Sequence, residues 1–253
     1  GRDKTSGKSV VITTWQSIYK LPRSWFEPFD VVIGDEAHLF KSKSLVSIMT
    51  KMDNAKYRFG FTGTLDGSQT HKWVLEGLFG PSYKVTQTKD LIEKGHLSKL
   101  QIKVLLLKHD EHQFGEYEDE IQYIIGHEKR NKFIKNLTVD LKGNSLVLFN
   151  RVETHGEPIY NLINNSVEEG RQVFFVYGGV PAQERERVRE ITEKENNAIT
   201  VASYGTFSTG INIKNLHNVI FASPSKSRVR NLQSIGRVLR KGDNKSQAVL
   251  YDI

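Results

Sequence analysis

Two adjacent carboxylates, Asp35 and Glu36, end the apolar run Phe29-Asp30-Val31-Val32-Ile33-Gly34, and Ala37-His38 follow them. The run predicts a buried parallel strand over residues 31–33, with Gly34 at its end. In open α/β sheets, ligands sit beyond the carboxyl ends of such strands. A carboxylate pair there can divide the work of nucleotide hydrolysis. Asp35 would hold Mg2+ through its waters, and Glu36 would orient the attacking water and take its proton. An ordinary strand-to-loop transition uses the same residue types, so the pair alone leaves both readings open. A second set lies near the other end of the chain. Gln233, Arg237 and Arg240 recur at i, i+4 and i+7, one side of a helix predicted over residues 227–239. Gln can bond a nucleotide, and two guanidinium groups can grip phosphate oxygens.

These sets need elements to carry them. Residues 44–52 have helical spacing, with Leu45, Ile48, Met49 and Met52 on one stripe. Short strands are predicted over 9–13 and 57–61, the second leading into Phe61-Thr62-Gly63-Thr64. A helix bearing Trp73, Leu75, Leu78 and Phe79 follows, with Trp73 assigned to a core or interface. Gly80-Pro81 breaks the pattern. A domain boundary is expected within residues 84–100, dividing the chain into 1–90 and 91–253. A strand over 102–107 opens the second domain, and a long helix interrupted near Gly126 follows over 117–141. Its Lys129, Arg130, Lys132 and Lys135 read as a solvated face, with DNA contact left open. Strands then alternate with crossover helices: strands at 145–149, 172–177, 199–203, 218–222 and 247–251, helices at 157–166, 182–194 and 227–239. Alternation of this kind means a parallel, right-handed α/β sheet. Residues 206–212 are expected to be a loop. The mixed charges of 184–190 suit an exposed helix face with i,i+3 and i,i+4 pairs.

Four stretches in order carry a family resemblance. They are Gly34-Asp35-Glu36-Ala37-His38, Phe61-Thr62-Gly63-Thr64, Ser203 to Asn212, and Gln233-Ser234-Ile235-Gly236-Arg237-Val238-Leu239-Arg240. Together they resemble motifs II, III, V and VI of superfamily 2 helicases, with 204–216, 128–132 and 233–241 nearest the phage recombination helicases. The resemblance implies two RecA-like parallel-sheet lobes, the first incomplete, that form a cleft for ATP and Mg2+ with DNA crossing its top. It implies catalytic roles for Asp35, Glu36, Arg237 and Arg240, and nucleotide contacts from His38, Gly210, Asn212 and Gln233. Position 212 is often Asp in the family; Asn keeps a hydrogen-bond acceptor there. By the same resemblance Thr14, Gln16, Asn150, Arg151 and Ser203 touch the DNA backbone, where hydroxyl and amide groups can bond phosphates without reading bases. A helix cap explains Thr14 equally well.

The resemblance further implies action on branched DNA, by fork regression and junction migration, in a bacterial or phage-infected cytoplasm and as a monomer. A phosphate-cradling loop needs Gly-x-x-x-x-Gly-Lys-Ser/Thr after a strand. Gly1 to Ser9 has five residues between its glycines and no strand before it. The expectation is therefore an N-terminally truncated motor, without turnover by itself. A DNA-binding module, the motor of a restriction or chromatin-type translocase, and an RNA helicase stay open as alternatives.

Composition narrows the classes. The 253 residues are 38% hydrophobic and 26% charged, as in an ordinary soluble protein. Cysteine is absent, which excludes disulfides, thiolate metal sites and cysteine nucleophiles. No apolar run is long enough for a membrane span. The net charge of +7 favours a polyanionic partner. From residue 226 to 245, seven Lys and Arg residues face only Asp243. His109, Glu111 and His112 lie close in sequence without a metal-ligand pattern and read as a solvated loop.

Overall fold

The computed structural model describes residues 8–63, 65, 68–110, 112–210, 213–242 and 245–253. The chain divides into two compact units, one ending at Val85 and the other starting at Thr86.

The first unit is a two-stranded parallel sheet with helices against one face. Strands β1 (Val31–Gly34) and β2 (Tyr57–Gly60) pair Val31 with Tyr57 and Gly34 with Gly60. Helix α1 (Trp15–Ile18) precedes them, α2 (Lys43–Lys51) connects them and α3 (Gln69–Phe79) follows. The α2 stripe holds as its spacing predicts: Leu45, Ile48 and Met49 are buried, with Met52 beside them. They pack with Phe26, Phe40 and Leu75, and Val32 leans on this cluster. Alternation turns the neighbours of Val32 to the other face. Ile33 is consequently 66% exposed, and Val31, Tyr57 and Phe59 are exposed beside it. The strand expected to be buried is thus covered on one side only. Trp73 is 64% exposed rather than in the core, because Leu75 and Leu78 take the inward face of α3. Residues 9–13, expected to be a strand, form none. The ladder of β1 and β2 offers them no pairing, and without a ladder an extended segment has nothing to fix it.

The second unit is built on a six-stranded sheet in the order β3-β8-β7-β4-β6-β5, parallel throughout. Helix α4 (Thr88–Glu93) leads to β3 (Lys99–Val104). Helices α5 (Tyr117–Gly126) and α6 (Glu128–Asp140) precede the central strand β4 (Ser145–Phe149). Then α7 (Glu157–Asn164), β5 (Val173–Val176), α8 (Ala182–Lys194) and β6 (Ile199–Ser203) alternate. Helix α9 (Tyr204–Gly210), β7 (Asn218–Phe221), α10 (Arg228–Val238) and β8 (Gln247–Asp252) complete the chain.

Both faces of this sheet are covered, which is why β4 and β7 carry apolar residues at consecutive positions, Leu146 to Phe149 and Val219 to Phe221. Leu146 and Leu148 of β4 face one core with Val188 of α8, Phe207 of α9 and Val238 of α10. Val147 and Phe149 face the other with Ile134 of α6 and Ile159 and Ile163 of α7. A π-helical turn, Val152–Gly156, joins β4 to α7. Gly156 is required there, since a Cβ would lie 2.6 Å from the Phe149 ring. Arg130 is not part of a solvated face. It is buried, donates to the Ile253 carbonyl at 2.8 Å, and desolvation lowers its pKa to about 10. The α8 charges behave as their spacing predicts, with Arg187 on Glu184 and Arg189 on Glu186.

Asn144 anchors the start of β4. The two N–H groups of its buried amide are shared among the carbonyls of Thr192, Glu195 and Asn215, and its Oδ1 accepts the Ala198 N–H at 2.8 Å. Removing it leaves several buried backbone groups without partners, each worth roughly 1–3 kcal/mol. Asn144→Ala is expected to lower the unfolding free energy by about 3 kcal/mol. Urea denaturation measures it; an unchanged midpoint would mean that water replaces those bonds.

Candidate functional site

In the first unit the geometry starts at the end of β1. Gly34 is buried, and a Cβ on it would meet the Phe40 ring at 2.7 Å. The chain then turns sharply. Glu36 adopts φ 49°, ψ 49°, and it is the one non-glycine residue with positive φ among the described residues. A left-handed Glu stores backbone strain, a feature found at functional sites. Asp35 Oδ1 accepts the Glu36 N–H at 2.8 Å, and both carboxylates are exposed to solvent.

The turn is tied to the end of β2. Phe61 N–H donates to the Gly34 carbonyl and Ala37 N–H to the Phe61 carbonyl, each at 2.8 Å. His38 completes the link. Its Nδ1 lies 3.0 Å from Thr62 Oγ1 and 3.3 Å from Glu36 Oε2. In the Nδ1–H tautomer the ring donates toward these oxygens and ties the Glu36 carboxylate to the β2 loop. Asp35, Glu36, His38 and Thr62 therefore form one cluster; Thr64 lies outside the described residues. Asp35 keeps Oδ2 clear of the Glu36 bond, and a single exposed carboxylate at a strand end is the donor set that suits a hydrated Mg2+. Among the described residues no group of three or more His, Cys, Asp or Glu could hold a metal by itself. Thr14 and Gln16 lie apart from this cluster in sequence. Thr14 sits at the start of α1 with Oγ1 3.1 Å from Ser17 Oγ, and Gln16 is exposed on that helix.

In the second unit the carboxyl ends of β4, β6 and β7 lie side by side, where the strand order reverses about β4. Ligands of such sheets bind at that reversal. Asn150 and Arg151 follow β4. The Asn150 N–H donates to Ser223 Oγ and its side chain to the Pro224 carbonyl, both at 3.0 Å, so it ties β4 to the loop after β7. Arg151 pairs with Glu118 at 2.6 Å, which holds the Glu118 carboxylate below its usual pKa. Ser203 is a helix cap. Its Oγ accepts the Thr206 N–H at 3.3 Å and donates to Thr206 Oγ1 at 2.8 Å. The segment expected to be a loop is accordingly helix α9 up to Gly210, seated by buried Tyr204 and Phe207 at i and i+3. Asn212 lies outside the described residues.

Gln233 and Arg237 lie on α10 with half-buried side chains. Arg240 does not continue their helix. The helix ends at Val238, and Arg240 stands in an antiparallel bridge to Leu97 with its side chain exposed. The cause is competition for the last carbonyls: the Ser98 N–H takes that of Leu239, and the Lys245 ammonium takes those of Val238 and Arg240. Sequence reasoning passed over Lys245, which is 3% exposed, and His155, which is fully buried. His155 Nδ1 meets Ser223 Oγ at 2.8 Å, and burial pushes its pKa down to about 3, so the ring is neutral. A lysine between helix and strand and a histidine beside a glycine look ordinary in sequence, and only the folded chain shows their burial.

Residues 128–242 match the helicase conserved C-terminal domain, and residues 1–67 match the type III restriction enzyme res subunit. The chain is 37% identical over 252 residues to the ATP-dependent DNA helicase uvsW of Enterobacteria phage T4, covering 96% of this chain and 49% of that protein. The chain belongs to the superfamily 2 helicases. This superfamily 2 chain spans about half the length of uvsW. The crystal structure of T4 UvsW superposes with a TM-score of 0.50 at 35% identity, covering 94% of this chain and 47% of that one. The ATP-dependent type ISP restriction-modification enzyme LlaBIII, bound to DNA, matches in fold with a TM-score of 0.63 at 19% identity, covering 94% and 19%. The parallel α/β architecture is therefore the RecA-like one of superfamily 2 helicases. Among the described residues no helix is long and apolar enough to cross a membrane.

Proposed function

We propose that the chain is the motor region of an ATP-dependent DNA helicase or translocase that remodels branched DNA. The observation that carries this reading is the cluster of Asp35, Glu36, His38 and Thr62, in which a strained turn presents two solvent-exposed carboxylates. Glu36 takes the proton of the attacking water while His38 holds its carboxylate in place. Asp35 is the residue that would hold Mg2+; the ion, when bound, neutralises phosphate charge. Gln233 contacts the nucleotide, and Arg237 and Arg240 stabilise the charge that develops on its γ-phosphoryl oxygens. Gly210 and Asn212 belong to the same nucleotide-facing set. The relative named as an ATP-dependent DNA helicase supports the substrate class.

DNA is held through its backbone by Thr14, Gln16, Asn150, Arg151 and Ser203. For Ser203 the contact is through the capped end of α9, because its hydroxyl is engaged with Thr206. Arg151 must exchange the Glu118 carboxylate for a phosphate. Binding is expected to be independent of base sequence. Affinity should fall about three- to fourfold between roughly 50 and 200 mM salt for the one phosphate that Arg151 neutralises, and further for each additional basic residue engaged. Titrations of forked, duplex and single-stranded DNA and of RNA at several salt concentrations test this. Tightest binding to the fork supports the reading; a salt-independent affinity, a preference for one base sequence, or selective binding of RNA would overturn it.

A further inference from the structure

The turn that carries Arg240 is held from inside the protein by a lysine with no part in the chemistry described so far. Lys245 is 3% exposed, although it belongs to the basic stretch 226–245. A lysine is almost never buried to that degree without partners. Its Nζ donates to three backbone carbonyls: Lys214 at 3.3 Å, Arg240 at 3.2 Å, and Val238. Two of these belong to the end of α10 and the turn beyond it. The third belongs to the segment that leads from α9 to β7. That segment is itself fixed from the other side, where the Glu193 carboxylate of α8 accepts the N–H groups of Lys214 at 2.6 Å and Asn215 at 3.2 Å. The same turn is pinned on its far edge by the bridge between Leu97 and Arg240 and by the Ser98 N–H on the Leu239 carbonyl at 2.8 Å.

We propose that Lys245 is the positioning residue for Arg240, stapling the arginine-bearing turn to the segment after α9 so that the guanidinium is delivered at a fixed place and angle. Three donors on one compact ammonium match three carbonyls from two segments, a geometry that a planar guanidinium or a single hydroxyl does not reproduce. The ends of helices are free to fray, and Arg240 lies two residues beyond the last residue of α10. Without the ammonium, the carbonyls of Val238, Arg240 and Lys214 lose a shared buried donor. Burial lowers the Lys245 pKa to about 8, and Glu193 opposes that shift. At neutral pH the ammonium form, with all three protons, still predominates.

This inference rests on the reading that Arg240 acts on ATP, and its test separates the two. In the full-length protein, DNA-stimulated ATP turnover is measured for wild type, Arg240→Ala, Lys245→Met and the double variant. Methionine keeps the unbranched shape of the side chain up to the ammonium and removes every donor. Lys245→Met is expected to lower kcat by about 10²-fold, the loss that a misplacement near 1 Å can cause, with KM for ATP little changed. In the Arg240→Ala background it should cause no further loss, because the group it positions is gone. DNA affinity without nucleotide should be unaffected. Losses that multiply in the double variant, or a normal kcat in folded Lys245→Met, would overturn the proposal while leaving the role of Arg240 intact. Normal turnover in Arg240→Ala would overturn both. If Lys245→Met fails to unfold cooperatively, Lys245→Gln, which keeps an amide donor, is read by the same criteria. Failure of both variants to fold would contradict the proposal too, since Lys245 would then be a requirement of the fold and not a positioning residue.

Discussion

Glu36→Gln in the full-length protein is expected to bind ATP almost as wild type does and to lower its turnover by about 10²–10⁴-fold. Glu36 is placed by a left-handed turn at the end of β1, and Gln can occupy that turn at the same cost. Its amide can accept from His38 through Oε1 and can still orient a water. It cannot take a proton at neutral pH, so binding and orientation survive while the chemical step fails. Stopped-flow binding of a fluorescent nucleotide, run beside steady-state turnover, reads the two quantities apart. Asp35→Asn should differ by weakening Mg2+-dependent nucleotide binding as well, since it removes charge from the residue assigned to the ion. Near-normal turnover in Glu36→Gln would remove Glu36 from the role of base.

Arg240→Ala is expected to lower ATP turnover at saturating DNA by about 10³-fold, the low end for loss of an arginine finger, because Arg237, near the end of α10, carries a second guanidinium that can compensate in part. Its exposed side chain stands beyond the end of α10, on a turn that Leu97, Ser98 and Lys245 hold by main-chain bonds. The fixed turn sets where the exposed Arg240 side chain starts, and in the proposed role its guanidinium meets the charge that spreads over the γ-phosphoryl oxygens. Arg240→Lys should rescue poorly, since an ammonium lacks the planar fork. DNA binding without nucleotide should survive. Should Arg240→Ala lose DNA affinity while keeping its turnover, Arg240 belongs to the DNA-binding surface instead.

How far the sequence discloses this site depends on which forces place each residue. The strands of the second unit are legible because both faces of the sheet are covered, so β4 and β7 carry the apolar runs Leu146 to Phe149 and Val219 to Phe221, and β6 adds Ile199, Val201 and Ala202. Helix α2 is legible because its apolar period matches the side it buries. The environment of β1 is not, because an apolar strand reads the same whether one face or both are covered, and Ile33 turns out to face solvent. Helix α9 was hidden by a glycine- and threonine-rich composition that suggests a loop. Its signal was the cap of Ser203 on Thr206 together with Tyr204 and Phe207 three residues apart. The helical spacing of Gln233, Arg237 and Arg240 was real for the first two. It failed at the third because tertiary donors, the Ser98 N–H and the Lys245 ammonium, take the carbonyls that would have carried α10 onward. No local pattern announces a donor that arrives from another segment. The contact of His38 with Thr62 is of the same kind, joining residues 24 positions apart.

The central claim is that a carboxylate pair at the end of β1 powers a DNA motor. The measurement that tests it most directly is steady-state ATP hydrolysis by the full-length protein, with and without DNA, for wild type and Glu36→Gln on one preparation. The account predicts turnover in wild type that rises when DNA of unrelated sequences is added, and almost none in Glu36→Gln under either condition. Turnover that ignores DNA, or that persists in Glu36→Gln, would contradict it.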